Sequence, residues 1–184
     1  MKKIVIAMLF TIFFGCQNQT FYEEEVNKND DLLEFLLIET KSFLDEKPTH
    51  THQDINAVLK NQNSQKPFAV IVTCSDSRVS PEILFDQGIG DLFVIRNAGN
   101  LISDIDMGSI EYAIEHLDTK LIIVLGHTEC GAIKAYLGDK KDDYKKHLSH
   151  KIKTIANENE QKKIKKPKDL NSCIIANIMH SKKS

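Results

Sequence analysis

Three short runs of uninterrupted apolar residues, 68–73 (FAVIVT), 92–95 (LFVI) and 121–125 (LIIVL), constrain this chain more than anything else in it. A strand with one wet face alternates apolar and polar residues, so runs without alternation and rich in β-branched side chains read as strands covered on both faces. Between the second and third, residues 107–117 place Ile110, Ala113, Ile114 and Leu117 on one helical face. Strand, helix and strand in alternation predict an α/β fold: a mostly parallel central sheet with flanking helices. Upstream, Asp30 or Asp31 can cap a helix running through Leu32, Leu33, Leu36 and Leu37 towards Phe43, with Pro48 as its stop. A second helix is expected at about 54–60, followed by a polar turn over 61–67. There is no internal repeat and no second domain, so residues 31–184 are expected to form one α/β domain.

Charge removes one class of function. The formal net charge is −2, whereas binding nucleic acid needs a concentrated basic surface. Lysines do gather between 140 and 168, but acidic residues interleave with them and no aromatic platform accompanies them, which predicts a solvated face. Residues 1–16 read as an export signal: Lys2 and Lys3 precede an apolar or small stretch, 4–15, too short to span a bilayer. Its end, Phe13-Phe14-Gly15-Cys16, resembles a bacterial lipoprotein cleavage site, with Cys16 as the lipidated residue. The polar segment 17–30 then reads as a tether. The expected location is the periplasmic side of the cell envelope, with the membrane engaged only through that lipid or the protein secreted in soluble form.

Removing Cys16 leaves Cys74, Cys130 and Cys173, an odd number that cannot pair completely within one chain. Cysteines of exported proteins form disulfides by default, yet a metal can hold two thiolates instead. In open α/β sheets, ligands bind beyond the carboxyl ends of the strands. Cys74 ends the first apolar run, while His127 and Cys130 lie just past the third, so the fold would bring all three to one sheet edge. His127-Thr128-Glu129-Cys130 has the two-residue gap that wraps a loop around a metal. Two sulfurs and an imidazole suit Zn²⁺, and three protein ligands leave a coordination position for water, as in catalytic sites. Cys173, inside the apolar run 173–176, reads as a small core residue. Asp76 and Arg78 follow Cys74 at alternate positions and would point the same way if the chain stayed extended. Only Arg78 and Arg96 are arginine among 24 basic residues. That choice suggests a need for the planar fork that grips a carboxylate at two points.

Residues 74–78 (CSDSR) and 127–132 (HTECGA) together resemble the β-class carbonic anhydrases. The resemblance runs from about 31 to 137 through 65–69 (QKPFA), 85–88 (FDQG), 90–100 (GDLFVIRNAGN) and 109–113 (SIEYA). It implies that Cys74, His127 and Cys130 hold one zinc per chain, that Asp76 and Arg78 form the family's dyad, and that Gln87 helps to hold substrate. The implied activity is the reversible hydration of carbon dioxide to bicarbonate by a hydroxide generated on zinc, in a homodimer or higher oligomer. Asp76 would orient the hydroxide, and Arg78 would keep Asp76 ionised and in place. Because two thiolates offset the charge of Zn²⁺, activity should favour alkaline pH.

Other readings of the same residues remain. They are a zinc-binding relative without turnover, a hydrolase of carbonyl sulfide or carbon disulfide, and a redox protein with a Cys74–Cys130 disulfide. Family chains usually continue beyond the region of 174–177 with a further strand and helix, whereas this sequence ends at Ser184. An uncovered strand edge is therefore expected. Asn97, Gly99 and Asn100 are expected to shape a tight loop, and Gly131 and Ala132 to start a helix against the metal loop. His147 and His150 read as a wet surface pair.

Overall fold

The computed structural model describes residues 3–5, 31–138 and 170–181. Three parallel strands form its centre, in the order β4-β2-β3: β2 (Ala69–Cys74), β3 (Leu92–Asn97) and β4 (Leu121–Leu125). A fourth, β1 (Lys3–Val5), pairs parallel to β4 through Lys3 to Leu121 and Val5 to Ile123. The rest of the expected export signal and tether, including Cys16, lies outside the described residues, as do the lysine-rich segment, His147 and His150.

The apolar runs become strands because burial rewards them on both faces. All of β2 and β4 is buried. β3 departs from the expectation: only Ile95 is buried, because this strand lies at the sheet edge and Leu92, Phe93 and Val94 are covered only in part. Ahead of the sheet lie α1 (Asp31–Leu44) and α2 (Ile55–Asn61), both close to their predicted limits. Asp54 caps α2, accepting from the Ala57 N–H at 2.9 Å. A one-turn helix unforeseen in the sequence, α3 (Pro81–Leu84), begins with Pro81, whose missing N–H costs nothing at that position. The crossover helix α4 (Asp104–His116) starts three residues earlier than expected, where Ser103 and Asp106 form a capping box. α5 (Gly131–Leu137) follows β4 directly, as expected from Gly131 and Ala132, and α6 (Leu170–Ser181) carries the 173–176 run.

The sheet separates two hydrocarbon layers. On one side, Ala69, Ile71, Leu121, Ile123 and Leu125 pack with Leu33 and Leu36 of α1 and with Leu84 and Phe85. On the other, Val70, Val72, Cys74, Ile122 and Val124 pack with Ile110 and Ala113 of α4, Ile133 and Tyr136 of α5, and Cys173, Ile174 and Ile178 of α6. Cys173 is fully buried, the small core residue its surroundings predicted. No helix among the described residues is long and apolar enough to cross a membrane.

Candidate metal centre

Strand β2 ends at Cys74, and β4 ends at Leu125, two residues before His127. Because the strands are parallel and in register, both ends open at the same sheet edge. The Sγ atoms of Cys74 and Cys130 and a ring nitrogen of His127 lie within 4.8 Å of one another, and all three residues are buried. They are the only such group of three or more His, Cys, Asp or Glu among the described residues. Tetrahedral zinc, with bonds of about 2.3 Å to sulfur and 2.0 Å to nitrogen, asks for ligand atoms roughly 3.5–3.8 Å apart, which lies inside that limit.

The histidine is oriented for ligation. Its Nδ1 lies 2.8 Å from the Thr128 carbonyl oxygen and donates to it, which leaves Nε2 as the free lone pair. That Nε2 is buried without a hydrogen-bond partner among the described residues, as expected of an atom meant for a metal. Gly126 permits the close approach of this loop to α6: a Cβ there would collide with Ile178 Cδ1.

Asp76 and Arg78 do pair, but not by extension of the chain. The backbone turns after Cys74: the Val79 N–H donates to the Asp76 carbonyl at 3.0 Å, and the Arg78 N–H to Asp76 Oδ1 at 3.0 Å. Within this turn, Arg78 Nε reaches Asp76 Oδ1 at 2.8 Å and Nη2 reaches Oδ2 at 2.7 Å, the two-point grip that arginine alone provides. Alternation along a strand was the wrong geometry, because aspartate readily folds a turn over its own backbone. Arg78 Nη2 also donates to the Glu129 carbonyl at 3.3 Å, so one guanidinium ties both metal-bearing loops. Asp76 Oδ2 stands 3.8 Å from His127 Nε2, beside the ligands but held by arginine.

Two further groups brace the site. Arg96 donates to the Cys74 carbonyl at 3.4 Å and, through Nη2, to those of Asp76 at 3.0 Å and Val79 at 2.8 Å, so it gathers the loop after β2. The scarcity of arginine had marked this residue without giving it a role. The Gly99 N–H donates to Cys74 Sγ at 3.3 Å. Asn97, Gly99 and Asn100 form the tight loop expected of them, with φ of +89° at Gly99 and +44° at Asn100. A hydrogen bond from backbone to sulfur leaves no trace in the sequence.

These contacts set the electrostatics. The hydrogen bond from Cys130, and after it the proximity of His127 and the Gly99 N–H, draw the Cys74 thiol below its ordinary pKa, against the opposing pull of burial. Cys130, sharing that bond with a thiolate and buried, is pushed up. Burial alone would lower the His127 pKa, but the Cys74 thiolate and Asp76 outweigh it and raise it. The trio therefore stores protons that a divalent cation would displace on binding. Hydrogen bonds from Arg78 hold the Asp76 carboxyl well below the usual carboxylate range, overcoming burial.

Gln87, expected to help hold substrate, bonds within its own loop. It is buried, and its Nε2 donates to the carbonyls of Phe85 at 2.8 Å and Asp86 at 3.2 Å. Asp86 has a structural task instead: 1% exposed, it accepts from the Thr49 N–H, from the Thr49 hydroxyl at 2.8 Å and from the His50 N–H at 3.0 Å.

Residues 69–183 match the carbonic anhydrase family. The chain belongs to that family. A carbonic anhydrase of Mycolicibacterium smegmatis is 50% identical over 95 residues, which are 52% of this chain and 46% of that protein. Another, from Synechococcus elongatus, is 47% identical over 79 residues, 40% of this chain and 29% of that protein. The chain thus spans about half or less of the length of these curated relatives. Among solved structures, the Coccomyxa β-carbonic anhydrase in complex with acetazolamide superposes with a TM-score of 0.57 at 28% identity, covering 85% of this chain and 68% of that one. A β-carbonic anhydrase described as tetrameric, from Sordaria macrospora, gives 0.56 at 25% identity, covering 81% and 76%. The open parallel sheet with flanking helices is therefore the β-carbonic anhydrase fold. Within the family's frame, the Cys74, His127 and Cys130 group is one that could bind a metal.

Proposed function

We propose that this protein is a zinc enzyme that interconverts carbon dioxide and bicarbonate. The observation that carries the proposal is the convergence of two cysteine sulfurs and one imidazole nitrogen within 4.8 Å, beside a carboxylate gripped by Arg78. Sulfur and nitrogen donors in that ratio suit zinc, and a ligand set of three leaves one coordination position to water. Bound there, zinc would supply the positive charge that acidifies water into a nucleophile for carbon dioxide.

The chain's own residues do the rest. Asp76, ionised through the working pH range, accepts a hydrogen bond from the nucleophile and aims its lone pair at carbon. Arg78 prevents Asp76 from rotating into the ligand set, which supports an active rather than a closed site. Burial of Cys74, His127 and Cys130 excludes bulk water from the metal's inner side.

We extend the proposal to assembly: a second copy of the chain covers the half-exposed β3 and the apolar side chains of Phe35, Ile38, Ile55, Val58 and Leu59. Export through residues 1–16, with lipid on Cys16, rests on their sequence alone and would remove β1 from the mature chain, leaving β4 as an edge of the sheet. Acyl labelling with a Cys16→Ser control tests it, and an unlabelled native chain would overturn it.

The deciding experiment measures zinc content and ¹⁸O exchange from labelled carbon dioxide on one preparation, with Cys74→Ser beside it. One zinc per chain with rapid exchange, both lost in the variant, is expected. Zinc retained without exchange would overturn the enzymatic reading and leave a metal-binding relative.

A further inference from the structure

Helix α6 approaches the metal centre without contributing a ligand, and it touches the surroundings of two ligand-bearing loops. Ile178 fills the space above Gly126, where even a methyl group would collide with it. One residue earlier, Asn177 is 1% exposed, and its Nδ2 donates to the Gly99 carbonyl at 2.8 Å. Gly99 is the residue whose N–H donates to Cys74 Sγ.

The loop that carries Gly99 is held both from within and from α6. Its base is closed by Asn97, whose side chain donates to the Leu101 carbonyl at 2.7 Å and accepts from the Leu101 N–H at 3.0 Å. Between those bonds, Gly99 and Asn100 both adopt left-handed backbone, which for Asn100 is a sparsely populated state that persists only when its surroundings impose it. Closing the base fixes where the loop starts and ends. Within the loop the Asn100 N–H donates to the Asn97 carbonyl at 3.2 Å, and from α6 the Asn177 side chain holds the Gly99 carbonyl at the tip.

We propose that Asn177 is a positioning residue for the metal centre: by holding the Gly99 carbonyl it keeps the Gly99 N–H directed at the Cys74 sulfur. The inference rests on Cys74 being a metal ligand. A hydrogen bond to a coordinated thiolate withdraws electron density from sulfur and fixes its direction. Removing the donor makes the sulfur more electron-rich and less well placed, so the metal is held less rigidly and its charge is offset more fully. Asn177 thereby connects a helix 78 residues further along the chain to the electronics of the site.

The test uses the full chain loaded with cobalt(II), whose sulfur-to-metal charge-transfer band reports the thiolate directly. In Asn177→Asp, the shape is kept but a carboxylate faces a carbonyl, so the donation is lost. The band should move to longer wavelength, and zinc should transfer to a chelator on the order of tenfold faster. In Ile178→Val, which trims the neighbouring packing without touching the hydrogen bond, stability should fall with the band unmoved. In the unsubstituted zinc form, the Gly99 amide hydrogen should resist exchange with solvent.

A band unchanged in Asn177→Asp, an equal shift in Ile178→Val, or a freely exchanging Gly99 amide would each overturn the inference while leaving the metal centre intact. The last measurement stands even where Asn177→Asp fails to fold. Absence of any sulfur-to-cobalt band in the unsubstituted chain would instead sink the metal reading, and this inference with it.

Discussion

The two faces of the sheet are built from the same strands and do different work. Odd-numbered residues of β2 and β4, Ala69, Ile71, Leu121, Ile123 and Leu125, meet α1 and the α3 region in a mainly hydrocarbon layer, where the buried hydroxyls of Thr73 and Thr40 donate to the Leu125 and Leu36 carbonyls. Even-numbered residues, Val70, Val72, Ile122 and Val124, meet α4, α5 and α6, and their row ends in Cys74. Alternation along a strand therefore decides which layer holds chemistry. The hydrocarbon layer tolerates any well-packed solution, whereas the other must also deliver Cys74, Cys130 and the Gly99 amide to fixed places. One face should answer for stability and the other for the metal.

Cys74→Ser tests that separation most severely. Loss of the sulfur at the end of the even row should abolish zinc retention and turnover, while urea denaturation of the metal-free chain changes little; elemental analysis with a denaturation curve checks both. Ile71→Ala, on the opposite face, should cost about 2–5 kcal/mol of stability in the same denaturation experiment. Its zinc content per folded chain should stay unchanged, and a variant that lost metal in proportion would show that the layers are coupled.

A smaller effect is expected at the rim. Asp76→Asn should keep zinc yet lower carbon dioxide hydration by up to about 100-fold, measured by ¹⁸O exchange. An untouched rate would remove Asp76 from the mechanism.

The smallest effect belongs to Asp86, behind the hydrocarbon layer. Burial would raise its pKa, but the Thr49 and His50 hydrogen bonds outweigh it and lower it. A depressed carboxyl contributes stability above its unfolded pKa, about 3.9, and that contribution is lost as pH falls through the folded value. Asp86→Asn should therefore cost about 1–2 kcal/mol at neutral pH and flatten the acid limb of the stability profile below about pH 4. Parallel acid limbs for the two proteins would assign that dependence elsewhere.

Strands and ligands were legible in the sequence for separate reasons. Unbroken runs rich in β-branched residues at 68–73 and 121–125 admit few other structures, and ligands placed at strand ends inherit their convergence from the topology. The loops were harder to read. Asp76 and Arg78 meet through a turn because a carboxylate bonding its own backbone competes with extension, a contest that spacing does not decide. The half-covered β3 was read as fully buried because an apolar run records the need for cover without saying which chain supplies it. Asn177, between the apolar Ala176 and Ile178, gave no sign of its reach, since its partner is a backbone carbonyl and carbonyls are present at every position. β1 was hidden inside a segment whose composition suggests export.

The alignment of β2 with β3, which sets Cys74 opposite Asn97, has a consequence for how this protein can fail. A single residue inserted into or deleted from β3 would move the loop beyond Asn97 one step along its neighbour and turn its side chains over. The amide now facing sulfur would face something else. Such an indel would alter no ligand and could leave a folded sheet, yet the cation would sit in a differently wired cage. Length errors in this unremarkable edge strand should thus damage the chemistry as surely as the loss of a cysteine.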